Sequence, residues 1–338
     1  MKTKTLTVAF TLLLALAPAF SGNTSAQKTR PVSVAAPSLL TSLPQSDAVA
    51  LVNQRQLLDD AVPKILVDNP AKLAEVNTEI LKFKTKTGID VRSFDQVALS
   101  VRYSYPSAGV TRVETVALAR GTFNAAAFVA AGKIAAEGKY REDKYQGHTI
   151  YIFSLDQQLK VFGLFNLQVS NLAVTALASN VLAIGTPETV RTAIDAGKAS
   201  ARINAELIEL ATRDPKAIIG FGGNISARLL QNVKISNDEA SKDLATIRQV
   251  YGSVGLSEKN LEMFLAARTT NADSARNLSD TLSALTQFGA LLVGRLPADK
   301  GTVAQTALDN LKITTQGSEL QIRTAVAQAE IAPLLRGE

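Results

Sequence analysis

The segment Leu311-Lys312-Ile313-Thr314-Thr315-Gln316-Gly317-Ser318-Glu319-Leu320-Gln321-Ile322-Arg323-Thr324-Ala325-Val326 decides the fold class. Across its Gln316-Gly317 turn, Leu311, Ile313, Leu320, Ile322, Thr324 and Val326 alternate with Lys312, Thr314, Glu319, Gln321 and Arg323. A period of two marks strands, because successive side chains leave a strand on opposite faces. One face of this hairpin is apolar and the other is wet. Parallel sheets are covered on both faces, whereas an antiparallel sheet tolerates water on one. The reading is an α+β protein with a largely antiparallel sheet and helices on one face.

Upstream of the hairpin, residues 217–222 read as a strand, 224–230 as a helix, and 248–256 and 260–268 as a strand pair. Asn271 can cap a helix whose Ala275, Leu278, Leu282 and Leu285 form an apolar stripe. The hairpin itself spans 308–315 and 319–326, and a closing helix runs through Ile331, Leu334 and Leu335. The first half follows the same order. A strand at 48–53 leads into helices carrying Leu57, Leu58, Val62, Ile65 and Leu66, then Leu73, Val76, Ile80 and Leu81. Paired strands follow at 94–103 and 112–121, then a helix capped by Asn124, a strand at 145–153, and strands at 172–176 and 181–185. Thr186 caps the last helix, with Pro187 at its first position. The pattern predicts two sequence-divergent copies of a strand-helix-strand-strand-helix-strand-strand-helix unit, residues 44–200 and 215–336, joined by a connecting helix within 201–214. The first-half hairpin is apolar on both faces, which suits a central position in a sheet.

At the other end, Lys2 and Lys4 precede an apolar run from Leu6 to Phe20, about 15 residues long, with small residues at Thr24-Ser25-Ala26. That is the profile of an export signal, too short for a stable membrane-spanning helix. Residues 1–26 are read as a signal peptide cleaved after Ala26, with cleavage after Ser21 the alternative. Residues 27–43, with Pro31, Pro37 and several Ser and Thr, are read as a flexible tether. The predicted destination is the periplasm or the medium. Removing the signal leaves 34 basic and 30 acidic residues, a net charge of +4. So mild a charge implies no nucleic-acid surface. The chain has no cysteine, which excludes disulfides, thiol catalysis and zinc–thiolate sites together.

His148 is the sole histidine. A serine hydrolase would have to use it as base, and the nearest approach to a nucleophile elbow is Tyr251-Gly252-Ser253-Val254-Gly255, which lacks the first glycine and sits in a strand pattern. Gly220-Phe221-Gly222-Gly223-Asn224 lacks the third glycine of a dinucleotide loop and reads as a tight turn. No cofactor or metal site is predicted. The acidic doublets Asp59-Asp60, Glu142-Asp143 and Asp238-Glu239 are not dyads, because adjacent side chains diverge. In Lys139-Tyr140-Arg141-Glu142-Asp143-Lys144-Tyr145, aromatics interleave with charge, and the stretch reads as a solvated loop leading into an edge strand. Tyr140, Arg141, Tyr145 and His148 are the candidate binding residues, because tyrosine buries area at low entropic cost.

Several stretches resemble an uncharacterised family of secreted bacterial proteins. They are Leu43-Pro44 with Ser46-Asp47-Ala48-Val49, Gly121-Thr122-Phe123-Asn124, the Tyr145-Gln146-Gly147-His148-Thr149-Ile150-Tyr151 core, Ala183-Ile184-Gly185-Thr186-Pro187-Glu188, and Leu308-Asp309-Asn310-Leu311-Lys312-Ile313. The resemblance implies no assigned activity and carries over no catalytic residue. The expectation is an exported, non-catalytic binding or scaffold protein of the cell envelope, whose partner is an envelope protein or ligand. The alternatives are a hydrolase using carboxylates or Ser253 with His148, and a carrier of lipid or another apolar ligand. Oligomeric state is not legible.

Overall fold

The computed structural model describes residues 39–87, 90–107, 110–154, 159–161, 165–167, 171–197, 202–231, 238–293 and 298–331. The predicted export signal and most of the predicted tether lie outside them. Leu39–Ser42 forms a 3-10 turn in which Leu39 and Leu40 are fully buried, as is Leu43 just beyond. Ordered packing therefore begins before Pro44. The reading of a tether to residue 43 is corrected, because the Leu-Leu-x-x-Leu spacing puts three side chains into a core.

The chain divides into two units, one grouping the described residues to Tyr103 with Val113–Glu209, the other grouping Ser104–Arg112 with Leu210–Glu338. The N-terminal unit opens with β1 (Ala48–Val52) and the helical turns α1 (Gln54–Gln56) and α2 (Val62–Ile65), bridged by a π-turn at Leu57–Ala61. Next come α3 (Pro70–Thr87), β2 (Phe94–Ser107), β3 (Val110–Gly121), α4 (Ala125–Ala135), β4 (Tyr140–Tyr145), β5 (His148–Ser154), a small ribbon of β6 (Leu159–Val161) and β7 (Phe165–Leu167), β8 (Asn171–Ala178), β9 (Val181–Gly185) and α5 (Pro187–Asp195). Its sheet runs β1-β2-β3-β9-β8-β5-β4. The helix starts follow the predicted caps. Asn124 accepts from the Ala127 amide at 3.0 Å, and Thr186 and Thr189 form a capping box with Pro187 in the first turn.

Helices lie on both faces of this sheet, which corrects the one-faced reading. Ala125 and Val129 of α4 join Ala119, Val174 and Leu182 in one core. Ala173, Thr175 and Ala183 point the other way, are buried, and face α5, whose Thr189 hydroxyl would sit 2.5 Å from any Cβ on Gly185. The cause is the sequence of β8 and β9. Both are apolar at odd and even positions, so each face needs a cover.

The C-terminal unit follows α6 (Ala205–Ala211). It contains β10 (Ile219–Asn224), α7 (Ala227–Gln231), α8 (Asp238–Leu244), β11 (Ile247–Leu256), β12 (Asn260–Thr269), α9 (Ala272–Val293), α10 (Ala298–Asp309), β13 (Lys312–Gln316), β14 (Glu319–Ala327) and α11 (Gln328–Ile331). Its sheet runs β10-β11-β12-β14-β13, antiparallel at each pairing. Asn271 caps α9 by accepting from the Ser274 amide at 2.9 Å. Leu278 of α9 packs with Ile247, Ala267 and Leu320, flanked by Ile313 and Ile322, so the apolar side of the hairpin points as its alternation requires. The glycine-rich segment Gly220–Asn224 is part of strand β10 and not a tight turn. Its first glycine admits the Ala211 carbonyl, to which a Cβ would come within 2.0 Å.

Candidate functional site

The predicted binding residues fall on the β4–β5 hairpin. Residues 139–145 are not a loop leading into an edge strand. Tyr140–Tyr145 is itself the edge strand, and a turn at Gln146-Gly147, with φ of 48° and 81°, separates it from β5. Two successive positive φ values match the twist of a two-residue hairpin turn. Alternation sends the four candidates to different faces. Tyr140 lies on the α4 side, where the Lys133 ammonium sits 5.1 Å from its ring and pairs with Glu142 at 2.8 Å. Arg141, Tyr145 and His148 lie on the α5 side. The Tyr145 hydroxyl donates to Asp195 at 3.0 Å, Gln146 donates to the same carboxylate at 2.6 Å, and the Arg191 guanidinium lies 5.6 Å from the Tyr145 ring. Arg191 also pairs with Asp143 and holds that carboxyl below the usual range. Both tyrosines are thus engaged inside their own unit.

His148 Nδ1 lies 3.0 Å from the Ala176 carbonyl oxygen. A carbonyl only accepts, so Nδ1 carries the proton. His148 lines a cavity of about 260 Å³ with Thr41, Leu177 and Ile194. A second cavity, about 190 Å³, is lined by Ser100, Arg102, Glu114 and Asp195. Of these, Ser100 bonds Ser46 at 2.5 Å, and Asp195 holds Tyr145 and Gln146. Ser253 donates to Asp214 at 3.2 Å, so neither Ser253 nor His148 has the other as its hydrogen-bond partner.

The most ordered polar arrangement lies on the sheet face of the C-terminal unit that is wet at β13 and at Arg323 of β14 and buried at Tyr251, Ser253 and Ala266. Register stacks three rows across β11, β12, β14 and β13: Gln249, Arg268, Glu319 and Gln316; then Tyr251, Ala266, Gln321 and Thr314; then Ser253, Phe264, Arg323 and Lys312. Tyr251 is fully buried, with the Arg213 and Arg268 guanidinium carbons 4.9 and 5.5 Å from its ring centre and Phe264 edge-on at 5.7 Å. Arg213 donates to the Tyr251 hydroxyl. Glu319, only 13% exposed, accepts from Arg268 at 3.3 Å and Gln321 at 2.7 Å and pairs with Arg213 at 3.8 Å. Arg268 donates to Gln249 at 3.0 Å, and Gln249 to Asn224 at 2.9 Å. Burial alone would raise the Glu319 carboxyl, but hydrogen bonds from Tyr251, Gln321 and Arg268 hold it below the usual range.

Burial and the Glu319 hydrogen bond push the Tyr251 phenol up to about 12. The folded state therefore holds the neutral phenol. Its contribution is present in full below the ordinary phenol pKa of about 10 and is lost as pH climbs through about 12. In denaturant titrations, the stability gap between the parent and Tyr251→Phe should close between pH 9 and pH 12. A constant gap would mean that the phenol does not titrate as described.

This network was missed because its pairs span long separations, 38 residues for Arg213–Tyr251 and 51 for Arg268–Glu319. The available signal was the polar alternation at Glu319, Gln321 and Arg323.

No family of known proteins matches the chain, and no curated protein matches it. Among solved structures, crystal forms III, I and IV of TP0453 align over 89%, 90% and 88% of this chain and 98%, 98% and 96% of theirs. Identities are 9%, 9% and 10%, with TM-scores of 0.48, 0.45 and 0.41. Likeness at that level bears on neither site nor activity. Among the described residues no helix is long and apolar enough to cross a membrane.

Proposed function

We propose that this chain is an exported, non-catalytic binding protein of the cell envelope that engages a partner through the wet sheet face of its C-terminal unit. The observation that carries the reading is the ordered polar network on that face. Solubility alone would be served by mobile polar chains. Here Arg213 and Arg268 are held over a buried tyrosine, which lowers the ordering cost of binding. Export rests on Lys2, Lys4 and the apolar run to Phe20. The resemblance to secreted bacterial proteins of no assigned activity belongs with this reading.

Duplication is part of the same proposal. The strand order β1-β2-β3-β9-β8 has its counterpart in β10-β11-β12-β14-β13, with the β4–β5 hairpin extra in the first unit. In each unit a helix follows the third strand and another follows the last. Matching sheet order with divergent residues is what two copies of one folding unit would leave.

The protein purified from its own envelope, by native mass spectrometry, is expected to begin at Gln27 and to retain a bound protein. A full-length mass from the cytoplasmic fraction would overturn export. A bound lipid in place of protein would favour a carrier, and turnover abolished by His148→Ala would overturn the non-catalytic reading.

A further inference from the structure

Lys312 and Arg323 are directly opposed on neighbouring strands of the wet face, in the row that continues to Phe264 and Ser253. Like charges in directly opposed positions destabilise a sheet. Both side chains belong to exposed residues, and neither takes part in an ion pair among the described residues. The carboxylates that share this face do not relieve them. Glu319 is engaged by Arg213, Arg268 and Gln321, and Asp214 accepts from Ser253 and from the Lys216 amide. Glu262, one row further along β12, forms no ion pair with Arg323 among the described residues. Arg323 is also pre-positioned, its guanidinium carbon 4.2 Å from the Phe264 ring centre. A stacked arginine keeps its in-plane N–H groups free while giving up rotamer freedom in advance.

We propose that the Lys312–Arg323 pair, with Phe264 beneath the guanidinium, is the docking site for an acidic, carboxylate-bearing segment of a partner protein. Charge complementarity selects the occupant: two opposed cations with no acid of their own are relieved by carboxylates arriving from outside. The surroundings favour a chain laid across the face over a small anion. The patch is a sheet surface and not a pocket, and Thr314 and Gln321 offer further hydrogen-bonding groups one row away. Arginine over an aromatic ring is the residue pairing typical of interface anchors. The proposal rests on the binding reading above and names the chemistry of its partner.

The test uses the mature chain from Gln27 and fluorescein-labelled hexaglutamate, followed by fluorescence anisotropy. Saturable binding is expected, weakening at least tenfold between 50 and 300 mM salt, because exposed charge pairing is screened. The double variant Lys312→Glu/Arg323→Glu should lose binding by at least tenfold and acquire binding to labelled hexalysine, which also shows that it is folded. Lys242→Glu, on α8, should bind hexaglutamate like the parent. Lys312→Glu alone should weaken binding while raising the denaturation midpoint, since it replaces a repulsive pair with an attractive one. A residue serving only the fold would not move those two readouts in opposite directions. Hexaglutamate binding that ignores the double reversal would overturn the site. So would displacement by inorganic phosphate at equal charge concentration, or binding to phosphatidylglycerol vesicles without binding to the peptide. If the site fails while the envelope-purified protein still carries a bound protein, the binding reading stands and the assigned surface falls.

Discussion

Replacing Tyr251 by alanine is expected to destabilise the protein by about 3–5 kcal/mol, the range for deleting a large buried aromatic side chain. The side chain is fully buried, and two guanidinium groups and the Phe264 ring pack around it. Its removal opens a cavity and also leaves Glu319 without its phenol donor in a setting where the carboxylate is mostly shielded from water. Tyr251→Phe separates the two effects. It keeps the ring and removes one hydrogen-bonding group, at an expected cost of about 1–2 kcal/mol. Urea denaturation of both variants beside the parent would decide the matter. If phenylalanine proved neutral, the hydroxyl network would contribute nothing, and only packing would hold the arginines over the ring. The Glu319 carboxyl should titrate higher in Tyr251→Phe, because the phenol is one of the groups that hold it down.

Much of the fold was legible wherever the deciding signal was local. The caps at Asn124, Thr186 and Asn271 are hydrogen bonds to amides three residues on, so residue type and spacing suffice to place them. The alternation from Lys312 to Val326 fixed both strands of the last hairpin because it records the pleat directly. Where the deciding interaction is distant, local pattern misled. A strand was expected to begin near Leu308, yet α10 runs to Asp309 and buries Val303 and Ala307 one helical turn apart. Their burial comes from packing with Ala325 and Val326 of β14, an element beyond that window. In the same way Gln146-Gly147 broke an expected strand, since the turn lacks the Asn-Gly or Asp-Gly signal and is declared by its two positive φ values.

The candidate site was legible only in outline. Composition marked Tyr140, Arg141, Tyr145 and His148 as adaptable surface groups, but alternation on β4 and β5 divides them between two faces, and Asp195 and Lys133 engage the tyrosines. The wet face of the C-terminal hairpin was visible as Lys312, Glu319, Gln321 and Arg323. Its partners Arg213, Gln249, Tyr251 and Arg268 were not, because their placement depends on the register of β11 against β12 and of β12 against β14. A register slip of one residue would send Gln249, Tyr251 and Arg268 to the opposite face, away from Arg213 in the turn before β10. Polar alternation in one strand therefore announces that a polar face exists without naming what completes it.

Gly220→Ala should be among the most damaging single-methyl additions to this chain, at about 3 kcal/mol or more, the upper range for overpacking against a rigid neighbour. The methyl group would meet the Ala211 carbonyl oxygen at 2.0 Å and its carbon at 3.1 Å, far inside contact distance. Both atoms are backbone at the end of α6, so no rotamer change relieves the clash, and helix and strand must move apart. Conformational strain is not the cause, since Gly220 is absent from the positive-φ positions. Gly317→Ala is the contrasting control. Its φ is +57° and nothing lies within 4 Å of an added Cβ, so only the left-handed backbone is penalised, by about 1 kcal/mol. Parallel denaturation curves should rank Gly220→Ala well below Gly317→Ala. The opposite ranking would show that α6 does not press against β10, and the glycine-rich start of that strand would need another explanation.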